Sequence, residues 1–100
     1  MAEQYLLTIT VSPSLEEPLV DWLLENFGEM GFTSFPVFGH SSRTEGLTQA
    51  EQVTGRRRQF RFQIHISADK SEAFLNQLRS DFSGVGLHYW LSPLIETGRI

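Results

Sequence analysis

The chain has 100 residues and a mass of 11.4 kDa, the size of one domain. Its residues are 40% hydrophobic and 20% charged, a balance that excludes a disordered tail or a low-complexity segment. A net charge of -4 argues against a general nucleic-acid binder, and the absence of cysteine excludes disulfides and thiolate metal sites.

The first part of the chain predicts a strand followed by a helix. Apolar and polar residues alternate over residues 5–11, which is typical of a half-buried strand. Over residues 15–27, apolar side chains recur at spacings of three and four and predict an amphipathic helix. Ser14 and Glu17 have the spacing of a capping box, so we expect them to start this helix.

A second strand, a long connection and a third strand follow. Residues 32–39 are rich in aromatic and branched side chains, and Pro36 restricts the strand to a sheet edge. Residues 40–55 lack apolar periodicity and exceed the usual length of a connection, so we expect this loop to carry function. Strict alternation over residues 57–66 predicts a third strand with one buried and one solvent-facing side.

The last part of the chain predicts a second helix and a fourth strand. Asp69 and Glu72 offer another N-terminal cap, and an apolar stripe extends over residues 74–82. Alternation over residues 87–91 predicts the strand, after which Pro93 is expected to begin a short tail.

The order β-α-β-β-α-β predicts an α+β, ferredoxin-like fold for the whole chain, residues 1–100. Right-handed crossovers place both helices on one face of a four-stranded antiparallel sheet with strand order 4-1-3-2. The opposite face is too mixed for a core and too apolar for plain solvent, so we expect a subunit interface there. Its predicted members are Leu6, Thr8, Thr10, Arg61, Gln63, His65, His88 and Trp90.

Arg56, Arg57, Arg58 and Arg61 fall together at the start of the third strand. Guanidinium groups bind phosphate and carboxylate in bidentate geometry, so one interpretation is an anion site. The other is a solvated strand end that pairs with the acidic first helix, of the same chain or of a neighbour. Alternation directs Arg57 and Arg58 to opposite faces, and the residues leave both interpretations open.

Three histidines, His40, His65 and His88, raise the question of a metal site. The first strand lies between the third and fourth in the predicted order, so His65 and His88 are about 9 to 10 Å apart even at matched register. One metal ion cannot bridge them within a chain. Only a site shared between subunits remains as an alternative.

The sequence gives little support for an enzyme, because it has no nucleophile elbow, no P-loop and no carboxylate pair forced to converge. Phe60 and Phe62 share the phase of Ile64 and Ile66, so they are predicted in the core rather than stacked on RNA bases. We therefore expect a cytoplasmic protein without enzymatic activity, cofactor, nucleic-acid partner or membrane insertion.

Several runs resemble the PII-like signalling superfamily, and more closely an uncharacterised PII-like family of about this length. They are residues 5–11, 20–24, 31–32, 38–39 and 55–64. The divalent-cation-tolerance proteins are a neighbouring branch with similar architecture.

This resemblance implies a homotrimer in which residues 40–55 protrude as a T-loop and touch a protein partner or a small anionic effector. The turn at residues 83–87 lacks the Asp and Lys of nucleotide-binding members, so the resemblance does not extend to ATP. Gly39 and Gly55 would let the loop hinge, and the expected effector-binding residues are Gly39, His40, Arg56, Arg57, Arg58 and Arg99. The predicted function is a trimeric regulatory module, and the alternative is a divalent-metal module with histidines at subunit interfaces.

Overall fold

The computed structural model describes residues 3–41, 48, 49, 51 and 56–100. Four strands and two α-helices follow one another there in the predicted β-α-β-β-α-β order, which confirms the ferredoxin-like α+β fold. The elements are β1 (Gln4–Val11), a 3-10 turn (Pro13–Leu15), α1 (Glu16–Phe27), β2 (Thr33–His40), β3 (Arg56–Ser67), α2 (Ala68–Asp81) and β4 (His88–Leu94).

The sheet is antiparallel and has the order β2-β3-β1-β4, which confirms the predicted arrangement with β1 inside. Pro36 lies on the edge strand β2, opposite Phe60, where a missing amide interrupts no inner ladder. The prediction that Pro93 begins a tail is wrong. β4 continues to Leu94, with Pro93 opposite Tyr5, because β4 is also an edge strand and tolerates a proline.

The core lies between the helices and one face of the sheet. Leu7, Ile9 and Val11 of β1 and the alternate residues 62–66 of β3 are buried there. Phe62 is fully enclosed, so it is not available to stack on a base. The helices close this layer with the apolar stripes that the sequence predicted. The core residues are Leu7, Ile9, Val11, Leu19, Leu23, Phe62, Ile64, Ile66, Phe74, Leu75 and Leu78.

Aromatic rings join the two helices at one end of the core. The indole ring of Trp22 makes edge contacts with Phe74 and Phe82, at centroid distances of 5.4 and 5.7 Å. Its N–H donates to the carboxylate of Asp81 at 2.7 Å, and this hydrogen bond is the main cause that lowers the pKa of Asp81. Trp22 therefore ties α1 to the last turn of α2.

Neither predicted side-chain cap forms. The 3-10 turn moves the start of α1 to Glu16, and the Ser14 hydroxyl lies 3.1 Å from the Ser12 hydroxyl instead of capping the helix. α2 follows Ser67, and Asp69 lies within its first turn. Acidic residues in the first turn of a helix still interact favourably with the helix dipole. The acidic residues of the predicted caps that lie in these first turns therefore stabilise the helix starts without capping them.

Leu23 and Leu24 provide a matched test of this core, since they are neighbours on α1 and only Leu23 is buried. Leu23→Ala leaves a cavity under the sheet, so we expect a loss of about 2 to 5 kcal/mol in the free energy of unfolding. Leu24→Ala should change it by less than about 0.5 kcal/mol. Urea unfolding at one protein concentration measures both, and equal losses would contradict this packing.

Candidate functional site

The face of the sheet that points away from the helices is called the open face here. It carries the alternate residues of all four strands, as the strand registers show. Phe35 on β2 and Trp90 on β4 remain 37% and 44% exposed. The open face consists of Gln4, Leu6, Thr8, Thr10, Thr33, Phe35, Val37, Gly39, Arg57, Gln59, Arg61, Gln63, His65, Ser67, His88, Trp90, Ser92 and Leu94.

Arg61 covers the middle of the open face. Its Nε donates to the hydroxyl of Thr10 at 3.1 Å, and its guanidinium carbon lies 5.1 Å from the centroid of the Trp90 ring. Arg61 belongs to β3 and Trp90 to β4, so the side chain crosses β1 between them. Thr8 and Thr10 are accordingly buried, at 2% and 5% exposure, although both belong to the open face.

A second group of residues, three of them arginines, lies where β2 ends and β3 begins, and it is called the hairpin cluster here. The cluster consists of Gly39, His40, Arg56, Arg57 and Arg58. His40 pairs with Arg56 and Gly39 with Arg57, so the structure brings five of the six predicted effector-binding residues together. The Arg56 guanidinium stacks on the half-exposed Phe38 ring at 4.3 Å.

The three arginines of the hairpin cluster divide between two faces, as the alternation predicted. Arg57 lies on the open face, while Arg56 and Arg58 lie on the opposite side. Gly39 is an internal residue of β2, and a side chain there would meet the Gln59 amide oxygen at 2.6 Å. A substitution at Gly39 would therefore require only the flexible Gln59 side chain to move.

Glu51 holds the end of the long connection against β3. Its two carboxylate oxygens accept from the backbone N–H of Thr48 at 3.0 Å and of Arg58 at 2.7 Å. The Thr48 hydroxyl accepts in return from the Glu51 N–H at 3.1 Å. These bonds, with the Thr48 amide first, lower the pKa of Glu51.

The sequence predicted no role for Glu51. The signal was present, because Thr48 and Glu51 have the spacing of a capping box. The bond to Arg58 had no sequence signal, since it joins the loop to a strand.

Arg99, the sixth predicted effector-binding residue, lies at the other end of the sheet. It lines a cavity of about 500 Å³ together with His65, Glu96 and Gly98. His65 is eight positions beyond Arg57 on β3, which places it about 26 Å away at the usual rise of a strand. A site that contains both Arg99 and the hairpin cluster therefore requires two chains.

The histidines are separated in the same way. His65 pairs with Leu6 and His88 with Thr10, so they lie at different levels of β1 as well as on either side of it. His40 ends β2, beyond both. Within the described part of the chain, no three His, Cys, Asp or Glu residues come together to hold a metal ion.

The predicted T-loop, residues 40–55, falls largely outside the described residues. His40 and Ser41 begin it and Thr48, Gln49 and Glu51 belong to its second half, whereas 42–47, 50 and 52–55, including Gly55, are not described. Its role stays a prediction. No helix among the described residues combines the length and apolar character that a membrane crossing needs.

Comparison with known families identifies the chain. The model of a family described as "Protein of unknown function (DUF3240)" matches residues 1–100, so the chain belongs to this family. This confirms the resemblance to an uncharacterised PII-like family. No curated protein matches the chain.

Solved structures share the fold at low sequence identity. A DUF3240 family protein from Shewanella baltica is 23% identical with a TM-score of 0.78, covering 100% of this chain and 99% of that one. CutA from Synechococcus elongatus is 14% identical with a TM-score of 0.69, covering 95% and 80%. A putative PII-like signalling protein from Thermus thermophilus is 20% identical with a TM-score of 0.63, covering 93% and 88%. These likenesses show the fold.

Glu51→Gln tests the tie between the connection and β3. A glutamine side chain has one acceptor oxygen where two amides must be satisfied, so we expect faster hydrogen exchange of the Arg58 amide. Glu51 has a lowered pKa in the folded chain, so its contribution to stability is present above the ordinary carboxyl pKa. That contribution is lost as the pH falls through the folded value.

In the native chain, the protection of the Arg58 amide against hydrogen exchange should therefore decrease at acidic pH, and NMR measures this protection. Protection that is independent of pH, or equal in Glu51→Gln, would show that Glu51 does not hold this strand end.

Proposed function

We propose that the protein is a non-enzymatic regulatory module of the PII-like type. It assembles into a homotrimer through the open face and uses residues 40–55, with the hairpin cluster at their base, to contact a protein partner or a small anionic effector. The observation that carries this proposal is the two-sided sheet, in which helices cover one face and leave exposed aromatic side chains on the other.

Self-association follows from the chemistry of the open face. A domain of this length buries only about 60 to 65% of the surface of its unfolded chain, so apolar area left on a sheet face favours a partner. Phe35 and Trp90 stand on its two edge strands, and β1 adds the buried Thr8 and Thr10 between them. Aromatic residues beside polar ones are the composition of a protein interface rather than of a solvated sheet.

The effector role rests on the hairpin cluster. Its arginines lie beside the long connection, and Glu51 ties that connection to the backbone of Arg58. An anion bound by Arg56 or Arg57 would therefore act where the connection joins β3. An effector switches a protein only when it prefers one arrangement over another, and this junction is the place where such a preference can be read out.

The divalent-metal alternative draws its support from the periplasmic divalent cation tolerance protein CutA of Archaeoglobus fulgidus, which has this fold at 13% identity and a TM-score of 0.66 over 96% of this chain and 88% of that one. It requires histidines from two copies, because His65 and His88 are separated across and along β1 within one chain. Both histidines belong to the open face, so the same assembly would serve either function.

Analytical ultracentrifugation tests the assembly. We expect a mass three times that of the 11.4 kDa chain. Phe35→Gln removes an exposed aromatic ring from the open face and should weaken association at least about tenfold, because the ring would be buried between copies. Phe38→Gln is the matched control, since Phe38 is also exposed on the same strand but lies on the other side of the sheet.

The control variant should sediment like the native chain. A native chain that is monomeric at high micromolar concentration, or a Phe38→Gln variant that dissociates as readily as Phe35→Gln, would contradict assembly through the open face.

Calorimetry with ADP and ATP tests the hairpin cluster as an effector site. We expect binding that weakens at least about tenfold in the Arg56→Gln, Arg57→Gln double variant, because charged hydrogen bonds to phosphate are lost. Arg79→Gln is the control, since Arg79 lies on α2 and donates to Tyr89 and Asn76. Heat that is unchanged in the double variant would remove these arginines from the proposal.

A further inference from the structure

The strands of the open face carry basic side chains and no acid, although the chain as a whole is acidic and Glu96 lines the cavity beside His65. None of the four strands contains an Asp or a Glu, whereas the open face holds Arg57, Arg61, His65 and His88. The acidic residues that the structure describes lie in the helices, the connections and the two terminal segments. An anion that approaches this face therefore meets no carboxylate on the strands.

Arg61 has unused hydrogen-bonding capacity on this face. A guanidinium group has five N–H donors, and Thr10 accepts only from Nε. No described carboxylate contacts Arg61, and its terminal nitrogens have no hydrogen-bond partner among the described residues. Arg79 provides a contrast, since its Nε and both terminal nitrogens donate to Tyr89 and Asn76.

The terminal nitrogens of Arg61 are also held in place. The bond to Thr10 and the contact with Trp90 fix the guanidinium over the β1–β4 side of the sheet. Thr10 is the register partner of His88, so the imidazole stands on the next strand, beside the residue that orients Arg61. The guanidinium reaches Trp90 on β4, and His88 lies two residues before Trp90 on the same face of that strand. A half-buried cation without a counter-ion is costly, and a preoriented guanidinium with unused N–H donors is a recognition element for oxyanions.

We propose that Arg61 and His88 form a binding site for a phosphate group on the open face, oriented by Thr10 and flanked by the ring of Trp90. The site uses residues of one chain, so it requires neither the assembly nor the effector role of the hairpin cluster. If sister copies meet through the open face, as in the proposed function, the strands supply no carboxylate to balance the guanidinium groups. The bound phosphate group then acts as their counter-ion.

NMR of the uniformly 15N-labelled full chain, titrated with inorganic phosphate, tests this site. The chain has two tryptophans, so it gives two indole N–H resonances, one beside the site and one between the helices. We expect a saturable shift of the Trp90 indole and no shift of the Trp22 indole, with sodium chloride at matched ionic strength as the blank. Arg61→Gln should raise the dissociation constant about tenfold.

The Trp22 resonance reports in each variant that the helical layer is intact. Arg79→Gln is the control, since Arg79 lies on α2 and donates to Tyr89 and Asn76, and it should leave the phosphate affinity unchanged. His88→Asn should weaken binding less than Arg61→Gln, because it replaces one imidazole and leaves the guanidinium in place. A second titration with ADP identifies the source, since tighter binding than inorganic phosphate points to a nucleotide and equal binding to free phosphate.

The site is overturned if phosphate causes no saturable shift beyond that of chloride, or if Arg61→Gln binds as tightly as the native chain. A loss of phosphate binding in Arg57→Gln but not in Arg61→Gln also overturns it. That last result would leave the effector role of the hairpin cluster standing, so the two proposals fail separately.

Discussion

The pairing of β1 with β3 decides which side chains lie on which face, and the other features of the molecule depend on it. Ile9 opposite Phe62 lies under the helices, and Thr10 opposite Arg61 lies on the open face. A slip of one residue would exchange these pairs and put a guanidinium into the core. The cost of burying that charge fixes the register, and the register in turn places Arg61 over Thr10.

Most of the fold could be predicted because the apolar residues follow two clear periodicities, one typical of strands and one typical of helices. Alternation indicated the strands and their buried sides, and the spacing of three and four indicated α1 and α2. The start of α1 was predicted wrongly because residues 13–15 form a 3-10 turn, and this turn includes Ser14, the residue that was expected to cap the helix. Pro93 was misplaced because its effect depends on whether a strand is at an edge, and that is a property of the whole sheet.

The candidate sites could be predicted only in part. Sequence proximity brought the arginines of the hairpin cluster together, and alternation divided them correctly between two faces. The prediction also joined Arg99 to them, whereas the structure places Arg99 beside His65 at the far end of β3. The contact of Arg61 with Trp90 depends on two cross-strand registers, and no spacing along the chain reports such a contact.

Acidic and basic side chains lie on different sides of the molecule. α1 carries four acids, Glu16, Glu17, Asp21 and Glu25, and no base, whereas the open face carries cations and no acid from the strands. Copies that met through their open faces would keep the acids outside, where they favour solubility, and would enclose the cations. If assembly enclosed these cations, a bound anion would reduce their repulsion, and anion binding and assembly would then favour each other by thermodynamic linkage. A regulatory module of this construction would report the presence of an anion through its state of association.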